Sequence, residues 1–571
     1  MAGRLSVPRF LVEGDTVFAI GKVLNYVSDT IEIQSALSVN GVEMARFSHR
    51  ISDAQPTPGP VTSVDRHPDH TIFYRKTDGY RDGELRSIPV FPRGVERAVG
   101  QFFALEGDTA VELVLPDSLG EATLYARADV LDLVQEDIAQ LIRYEYECNE
   151  QMASRLKALL SRERIAVFTG QPFEGKSEVV RLISRLQKNR NDLGLWGWWN
   201  QSVSAWWVSS HVLDALAQAS RMGYKVAPPP HNFAEEAVWE LETAISGSRK
   251  LELLQLMSSY GATLDYGAYL PFIAQDSTLS PFDRFRLIEL QQRHGLPWER
   301  DSVLKFRRET IFGNSFFTAA EEPFSPSRNT LQLTLAAHRI LQRDTTTGPE
   351  LLHSIRNYLL EYRGAGAGLN TYETSLLIDA LLASREIDSS SFRSPKLTLS
   401  GAVEKTTTEF PIELHFSPGD TLRVSKTGDY PVYLTAYQRR WDSEARESGD
   451  HFMVSTRFSG GDDHLQAGKP ERLEVEIEVR KAAQYVLIEV PVPSGCSYAS
   501  KPSHQRGEVH REYFKHKTAI FCEQLGIGAH RFEIDLLPRY SGVFALNPAK
   551  VELMYFPVFG ANGQLRKVEV R

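Results

Sequence analysis

"LIRYEYECNEQMASRLKALL", Leu141 to Leu160, sets one of the chain's three cysteines between two helical patterns. One pattern ends near Tyr144; "NEQMASRLKALL", from Asn149, reads as the opening turns of the next. Cys148 therefore stands at a helix start, where unpaired N–H groups and the helix dipole favour a thiolate. Gln151, three residues on, lies on the same face. A sulfur at i and a carboxamide carbon at i+3 can close an internal thioester with loss of ammonia, which stores an acyl electrophile inside the protein. The competing reading is a buried structural cysteine, the usual fate of a lone one. "FCEQ", Phe521 to Gln524, serves as a control. Its glutamine is two residues from its cysteine and points elsewhere, so Cys522 reads as a core residue.

Around this stretch the chain is β, then helical, then β. "TVFAIGKVLNYV" (Thr16–Val27), "TIEIQSALSV" (Thr30–Val39) and "AVELVLP" (Ala110–Pro116) are branched, aromatic or alternating. From about Leu131 to about Ser384, apolar residues recur at three and four spacing, with Gly, Pro or Asn clusters between the runs. From about Pro395 strands return, as in "ERLEVEIEVRK" (Glu471–Lys481). A helical segment of about 250 residues inside β sequence predicts an insertion whose flanking strands pair across it. Several helical hairpins in one segment predict an α/α barrel or a solenoid.

Composition excludes some functions. Over 571 residues the net charge is −9, which argues against nucleic acid as a partner. No apolar run is long enough to span a bilayer. "MAGRLSVPRF" lacks the apolar core of a secretory signal. That fits a cytoplasmic protein or a piece of a longer, exported chain. Cys148, Cys496 and Cys522 are too few for a disulfide scaffold, and their spacing fits no metal site. No cofactor is expected.

Two other motifs compete. "TGQPFEGKSEVV" (Thr169–Val180) matches the phosphate-loop pattern at Gly170, Gly175, Lys176 and Ser177, and "RIAVFT" before it could be a strand. Its chemistry is poor: Pro172 removes one N–H from the cradle, and Glu174 puts negative charge where phosphates would lie. "SLLID", ending at Asp379, resembles a magnesium-binding strand but falls in a helical pattern. No nucleotide is expected. "LWGWWNQSVSAWW" (Leu195–Trp207) carries five of eight tryptophans. Packing explains it better than a sugar platform, since no pair of catalytic carboxylates accompanies it.

"YEYECNEQMASRL" (Tyr144–Leu156) closely resembles the thioester segment of the alpha-2-macroglobulin and complement superfamily, and its bacterial members most. Other segments resemble the family in order. "VPRFLVEGDTVFAIGKVLNY" (Val7–Tyr26) resembles the opening of a macroglobulin domain, and "GELRSIPVFPRG" (Gly83–Gly94) the entry to a CUB domain. "LWGWWNQSVSAWWVSSHVLDALAQASRMGY" (Leu195–Tyr224) and "NTYETSLLIDALL" (Asn370–Leu382) resemble the first hairpins and last helix of a thioester domain. "GDYPVYLTAYQRRW" (Gly428–Trp441) resembles the returning half of the CUB domain, and "PRYSGVFALNPAKVELMYFPVF" (Pro538–Phe559) the close of a C-terminal macroglobulin domain. The resemblance implies a multidomain chain. Its parts are a macroglobulin-like β-sandwich over 1–82, CUB halves over 83–128 and 393–450, an all-α toroid thioester domain over 129–392, and a macroglobulin-like β-sandwich over 451–571.

It also implies a function: broad-spectrum inhibition of proteases by covalent trapping. Gln151 would supply the acyl carbon, Cys148 the leaving thiolate, and Glu150 belongs to the motif. Each molecule would react once, so this is no enzyme. Tyr144, Tyr146 and Met554 would shield the bond from water. Target proteases would be the partners, and a bait region and N-terminal macroglobulin domains would lie outside this chain. The expected location is periplasmic or extracellular. Two positions depart from the pattern: Glu147 replaces the usual glycine and Glu145 the usual proline. Hydroxyl-acylating relatives use a histidine that has no counterpart between His231 and His294, which favours amines, although His211 and His294 stay open. The rival readings are a thioester adhesin, a toroid glycosidase and a phosphate-loop nucleotide binder.

Overall fold

The computed structural model describes residues 2–26, 30–51, 55–62, 69–76, 81–116, 119–128, 131–143, 147–169, 171–228, 233–319, 328–364, 370–383, 393–418, 421–428, 430–503, 505 and 507–571. Strands fill the chain to Ala128 and again from Lys396, with helices between.

The first β region holds a four-stranded antiparallel sheet in the order Val42–Ile51, Ile31–Val39, Asp69–Lys76, Arg81–Ser87. Ile31, Ile33 and Leu37 are buried and Glu32 and Gln34 exposed, the two-residue alternation of a sheet with one wet face. Thr16–Leu24 joins a different sheet. It pairs with Ala2–Ser6 and Gln55–Thr62, and also with Gly542–Leu546 near the other end of the chain. Asp15 reinforces that junction. Its buried carboxylate accepts from the N–H of Ala545 (2.7 Å) and of Val12 (2.8 Å), and from the Ser494 hydroxyl (2.5 Å).

Strands on either side of the helical segment do pair across it. Val95–Leu105 runs antiparallel to Val432–Asp442, Ala122–Ala128 lies between Val432–Asp442 and Ile412–Phe416, and Thr109–Leu113 pairs with Leu422–Thr427. Their inner faces share one apolar core, including Leu105, Leu124, Leu397 and Val424. Beyond Asp442, two antiparallel sheets of four and five strands enclose Val475, Ile477, Val486 and Ile534.

Twelve helices are seen among the described residues: α1 (Leu131–Arg143), α2 (Asn149–Thr169), α3 (Lys176–Lys188), α4 (Trp206–Arg221), α5 (Phe233–Thr243), α6 (Gly247–Ser259), α7 (Tyr266–Ala274), α8 (Pro281–Arg293), α9 (Asp301–Leu304), α10 (Thr330–Arg343), α11 (Pro349–Gly364) and α12 (Thr371–Ala383). Side-chain caps mark several starts: Ser246, Asp265, Ser280 and Asn329 accept N–H groups of the first turns of α6, α7, α8 and α10. α2, α4, α6, α8, α10 and α12 each pack on the next, and α12 packs back on α2, closing a ring. α1, α3, α5, α7 and α11 pack around that ring.

One hairpin interrupts the helices. Arg307–Glu309 pairs with Ser315–Phe317, an element the helical pattern did not suggest. Its tip carries Phe312 onto Phe102 and Tyr433 of the split β region (ring centroids 5.3 and 4.9 Å) and onto Phe556 of the last region (5.1 Å). Asn314 donates to the Tyr433 hydroxyl (2.8 Å), and Ile311 N–H to the Ala482 carbonyl (3.1 Å). This contact joins three regions of the chain.

One local expectation is corrected here. "RIAVFT" (Arg164–Thr169) is the last part of α2, not a strand, with Ala166 buried and Ile165 packed on the apolar core while Val167 faces outward. With a helix on both sides of 171–175, there is no strand–loop–helix unit to form a phosphate cradle.

Candidate functional site

Cys148 is the residue before α2, and its carbonyl accepts the helix's first bond, from Met152 N–H at 2.9 Å. Its N–H donates to Gln151 Oε1 (3.1 Å), while Gln151 N–H points back at Cys148 Sγ (3.5 Å). This is a capping box with sulfur in place of the usual hydroxyl. The box satisfies two backbone donors, and it holds the thiol and the carboxamide on one face within one turn.

The neighbours on both sides of Cys148 are tied down. Asn149 is fully buried. Its side-chain amide donates to the Gly197 and Trp199 carbonyls (3.0 and 3.1 Å), its Oδ1 accepts from Asn189 (2.8 Å), and its N–H donates to the Trp198 carbonyl (2.9 Å). The tryptophan loop is thus anchored on the motif itself. Trp196 packs as expected, fully buried with its indole N–H on the Leu186 carbonyl (2.6 Å). Trp199 is 60% exposed, and Trp198, 48% exposed, packs edge-on against Trp207 (ring centroids 5.2 Å). On the other side, Glu147 reaches three guanidinium groups. Arg181 lies at 2.8 Å, Arg155 at 3.4 Å, and Arg185 makes a closer contact.

Glu150 points inward. It accepts from the Ser154 hydroxyl (2.8 Å) and from Thr371 (2.9 Å to each oxygen), so the starts of α2 and α12 meet on its carboxylate. Burial pushes its pKa up, against the two hydroxyl hydrogen bonds. Ser154 also meets His211 Nε2 at 2.9 Å. Burial, helped by the charge of Lys157, holds His211 well below the usual histidine range, so the ring is neutral.

A second polar cluster lies one turn further along α2. Lys157, 1% exposed, pairs with Asp214 of α4 (2.6 Å) and Asp379 of α12 (2.8 Å). Burial alone would lower the lysine, but the two carboxylates outweigh it and the net shift is upward. Asp379 thus anchors helices rather than a magnesium ion.

One electrostatic expectation is reversed. The helix start was expected to favour the Cys148 thiolate, yet its pKa is raised. Burial is the larger effect, the Gln151 N–H opposes it only in part, and the charge of Glu150 adds to it. Cys522 and Cys496 are buried as well, each pushed up to about 12 by burial.

Of the other expected site residues, Tyr144 and Tyr146 lie outside the described residues, as does Glu145. Met554 follows the strand Lys550–Leu553, 39% exposed, with its N–H on the Tyr485 carbonyl (2.8 Å). His294 is stacked on Tyr266 and bonded to Ser258 (2.9 Å). Among the described residues, no group of three His, Cys, Asp or Glu could hold a metal ion, and no helix is long and apolar enough to cross a membrane. Sequence reasoning missed the tethers: Asn149, Lys157 and the three arginines. Lysine inside the apolar run "LKALL" was the one signal available.

The bacterial alpha-2-macroglobulin MG10 domain family matches residues 437–557. Alpha-2-macroglobulin of Thermotoga maritima is 23% identical over 391 residues, 66% of this chain and 23% of that protein. Its Escherichia coli counterpart is 24% identical over 267 residues, 41% of this chain and 16% of that protein. The crystal structure of trypsin-activated alpha-2-macroglobulin from Escherichia coli aligns with the whole chain and 43% of its own, with a TM-score of 0.50 at 17% identity. Sheets lie before and after a helical insertion, and the later ones fall within the segment that matches this macroglobulin-domain family. The chain is similar to a C-terminal portion of bacterial alpha-2-macroglobulins. Its matches span less than a quarter of the two curated relatives' length.

Proposed function

We propose that this chain is the thioester-bearing part of a protease trap, and that Cys148 and Gln151 form the bond. The observation that carries this reading is their reciprocal contact at the start of α2. Closing the bond joins Sγ to the Gln151 side-chain carbonyl carbon, breaks the carbon–nitrogen bond, and releases ammonia with the thiol proton. An attacking amine then takes the acyl group, and its proton passes to the departing sulfur. In this reading the helical ring is the α/α toroid of a thioester domain, and the sheets paired across it are a split CUB domain. The domain limits are those expected from sequence, with macroglobulin-like β-sandwiches at 1–82 and 451–571.

The relative activated by trypsin supports proteases as the trigger, and the protease would be held covalently through Gln151. Amines are the preferred acceptors, since His211 is buried in the Ser154–Glu150 chain. Tyr144, Tyr146 and Met554 are proposed to exclude water from the bond. A bait region and further macroglobulin domains would complete the trap, which would work once per molecule outside the cytoplasm.

The test is the intact mass of fresh protein with and without methylamine. A formed thioester makes the chain lighter than its sequence by one ammonia, about 17 Da, and methylamine turns the deficit into an excess of about 14 Da by leaving an N-methylamide at Gln151. A mass equal to the sequence and indifferent to methylamine refutes the reading. Acceptor preference follows from the linkage to a trapped protease: adducts released by mild hydroxylamine are esters and would refute the preference for amines.

A further inference from the structure

Glu147 sits where relatives were expected to carry glycine, and it is engaged rather than free. Its two carboxylate oxygens meet Arg155 of α2 and Arg181 and Arg185 of α3. Glu178 bridges two of the same arginines, Arg181 at 2.7 Å and Arg155 at 3.1 Å. Arg181 and Arg185 are one turn apart on α3, so both can grip one carboxylate. The side chain of Glu147 is 23% exposed, and those of Arg181 and Arg185 are 41% and 45%. The network is therefore partly sheltered yet within reach of dissolved salt.

Backbone position links this network to the chemistry. Glu147 and Asn149 are the residues bonded to Cys148 on either side. Asn149 is fixed in the core by neutral hydrogen bonds, and Glu147 at the rim by charge. With both neighbours held, the cysteine backbone keeps the angle that aims Sγ at Gln151. Releasing the Glu147 side lets the first turn of α2 fray, and fraying admits water to the acyl carbon.

We propose that Glu147 is a positioning residue for the Cys148–Gln151 thioester, holding it closed to water through the arginines of α2 and α3. This rests on the thioester reading above. The reaction it restrains is hydrolysis. Water adds to the Gln151 acyl carbon, the carbon–sulfur bond breaks, one water proton goes to Cys148 Sγ, and Gln151 becomes glutamate.

The experiment follows thiol release from native protein at neutral pH, in low and high sodium chloride, for wild type, Glu147→Gln, Arg185→Ala and the double variant. Intact mass is recorded first. In low salt we expect Glu147→Gln to speed release about tenfold, the factor for about 1.4 kcal/mol. Arg185→Ala should speed it less, and the double variant should match Glu147→Gln. Salt should speed release in wild type and leave Glu147→Gln unchanged, because screening removes only an interaction that exists. A packing role would not produce that difference in salt response. A wild-type chain without the ammonia deficit overturns both this proposal and the thioester reading. A deficit with equal release in all four proteins, or with the same salt response in wild type and Glu147→Gln, overturns the positioning role alone.

Discussion

Lys157 Nζ lies 2.8 Å from Asp379 Oδ2, across the seam where α12 packs back on α2. Asp214 of α4 takes the same ammonium at 2.6 Å, so one buried lysine ties three members of the ring. Removing a single partner of a buried ion pair leaves the rest uncompensated. Lys157→Met should cost about 3 kcal/mol in urea unfolding, near the low end for such deletions because the carboxylates keep some contact with water. A loss under about 1 kcal/mol would show the pair to be incidental.

Counting thiols separates Cys148 from the other two cysteines. Cys496 and Cys522 are buried with pKa values near 12, so neither should react with a thiol reagent in the native protein. If the thioester forms, rapid denaturation in reagent should reveal two thiols, and methylamine treatment beforehand should reveal all three cysteines. Gln151→Glu should reveal three with or without methylamine. Three in the untreated wild type would exclude the bond.

Acid should destabilise the helical segment through its buried histidines. Burial, aided by Arg339 and Arg356, lowers His338 from 6.5 to about 4. Between those values the unfolded chain binds the proton and the folded chain does not, so stability falls as pH drops from about 6.5 towards 4 and is full above that window. The loss attributable to this ring is about 3 kcal/mol. His338→Gln should flatten the pH profile of urea midpoints over that range; an unchanged slope would remove His338 as its cause.

Gly542 allows the two ends of the chain to share a sheet. A Cβ there would meet the Thr16 carbonyl oxygen at 2.1 Å, and the backbone sits at φ +153°. Gly542→Ala should therefore part Thr16–Leu24 from Gly542–Leu546, at about 2 kcal/mol or more. Hydrogen exchange at Phe18, whose N–H donates to the Ser541 carbonyl (3.0 Å), should quicken while that of Val486 and Ile488, in another sheet, stays slow. Equal protection in both proteins would mean that the strands can shift to admit the methyl.

Asn149→Ala removes three side-chain hydrogen bonds and strands the Gly197 and Trp199 carbonyls. A destabilisation of about 1–3 kcal/mol is expected, with a change in tryptophan fluorescence as the 195–204 loop loosens. Unchanged emission would mean that the Trp198 carbonyl and Asn149 N–H suffice.

Periodicity carried the β–helix–β order, because that order depends on local pattern, and the pairing of strands across the insertion followed from the order, since an inserted segment leaves its flanking strands to complete one unit. The Cys148–Gln151 spacing was legible for the same reason: a helix fixes what three residues apart means. What stayed hidden depends on long-range contact. The Glu147–Arg185 pair joins residues on two helices, and nothing in "YECNEQ" points to α3. Thr16–Leu24 reads as part of an N-terminal sandwich, since its alternation cannot reveal a partner at Gly542. The hairpin at 307–317 is three residues a side, too short to break a helical pattern. The sign of the Cys148 shift was missed because the helix dipole is visible in sequence and burial is not.

The split β region bears on what a cut would do. Val95–Leu105, which precedes every helix, is zipped to Val432–Asp442, which follows them, along all 11 of its residues. A single scission in a loop of the helical segment would leave a polypeptide in two pieces but a molecule in one. The fragments should migrate together on a native gel and part only in detergent. Electrophoresis under denaturing conditions alone would mistake a nicked, assembled protein for a degraded one.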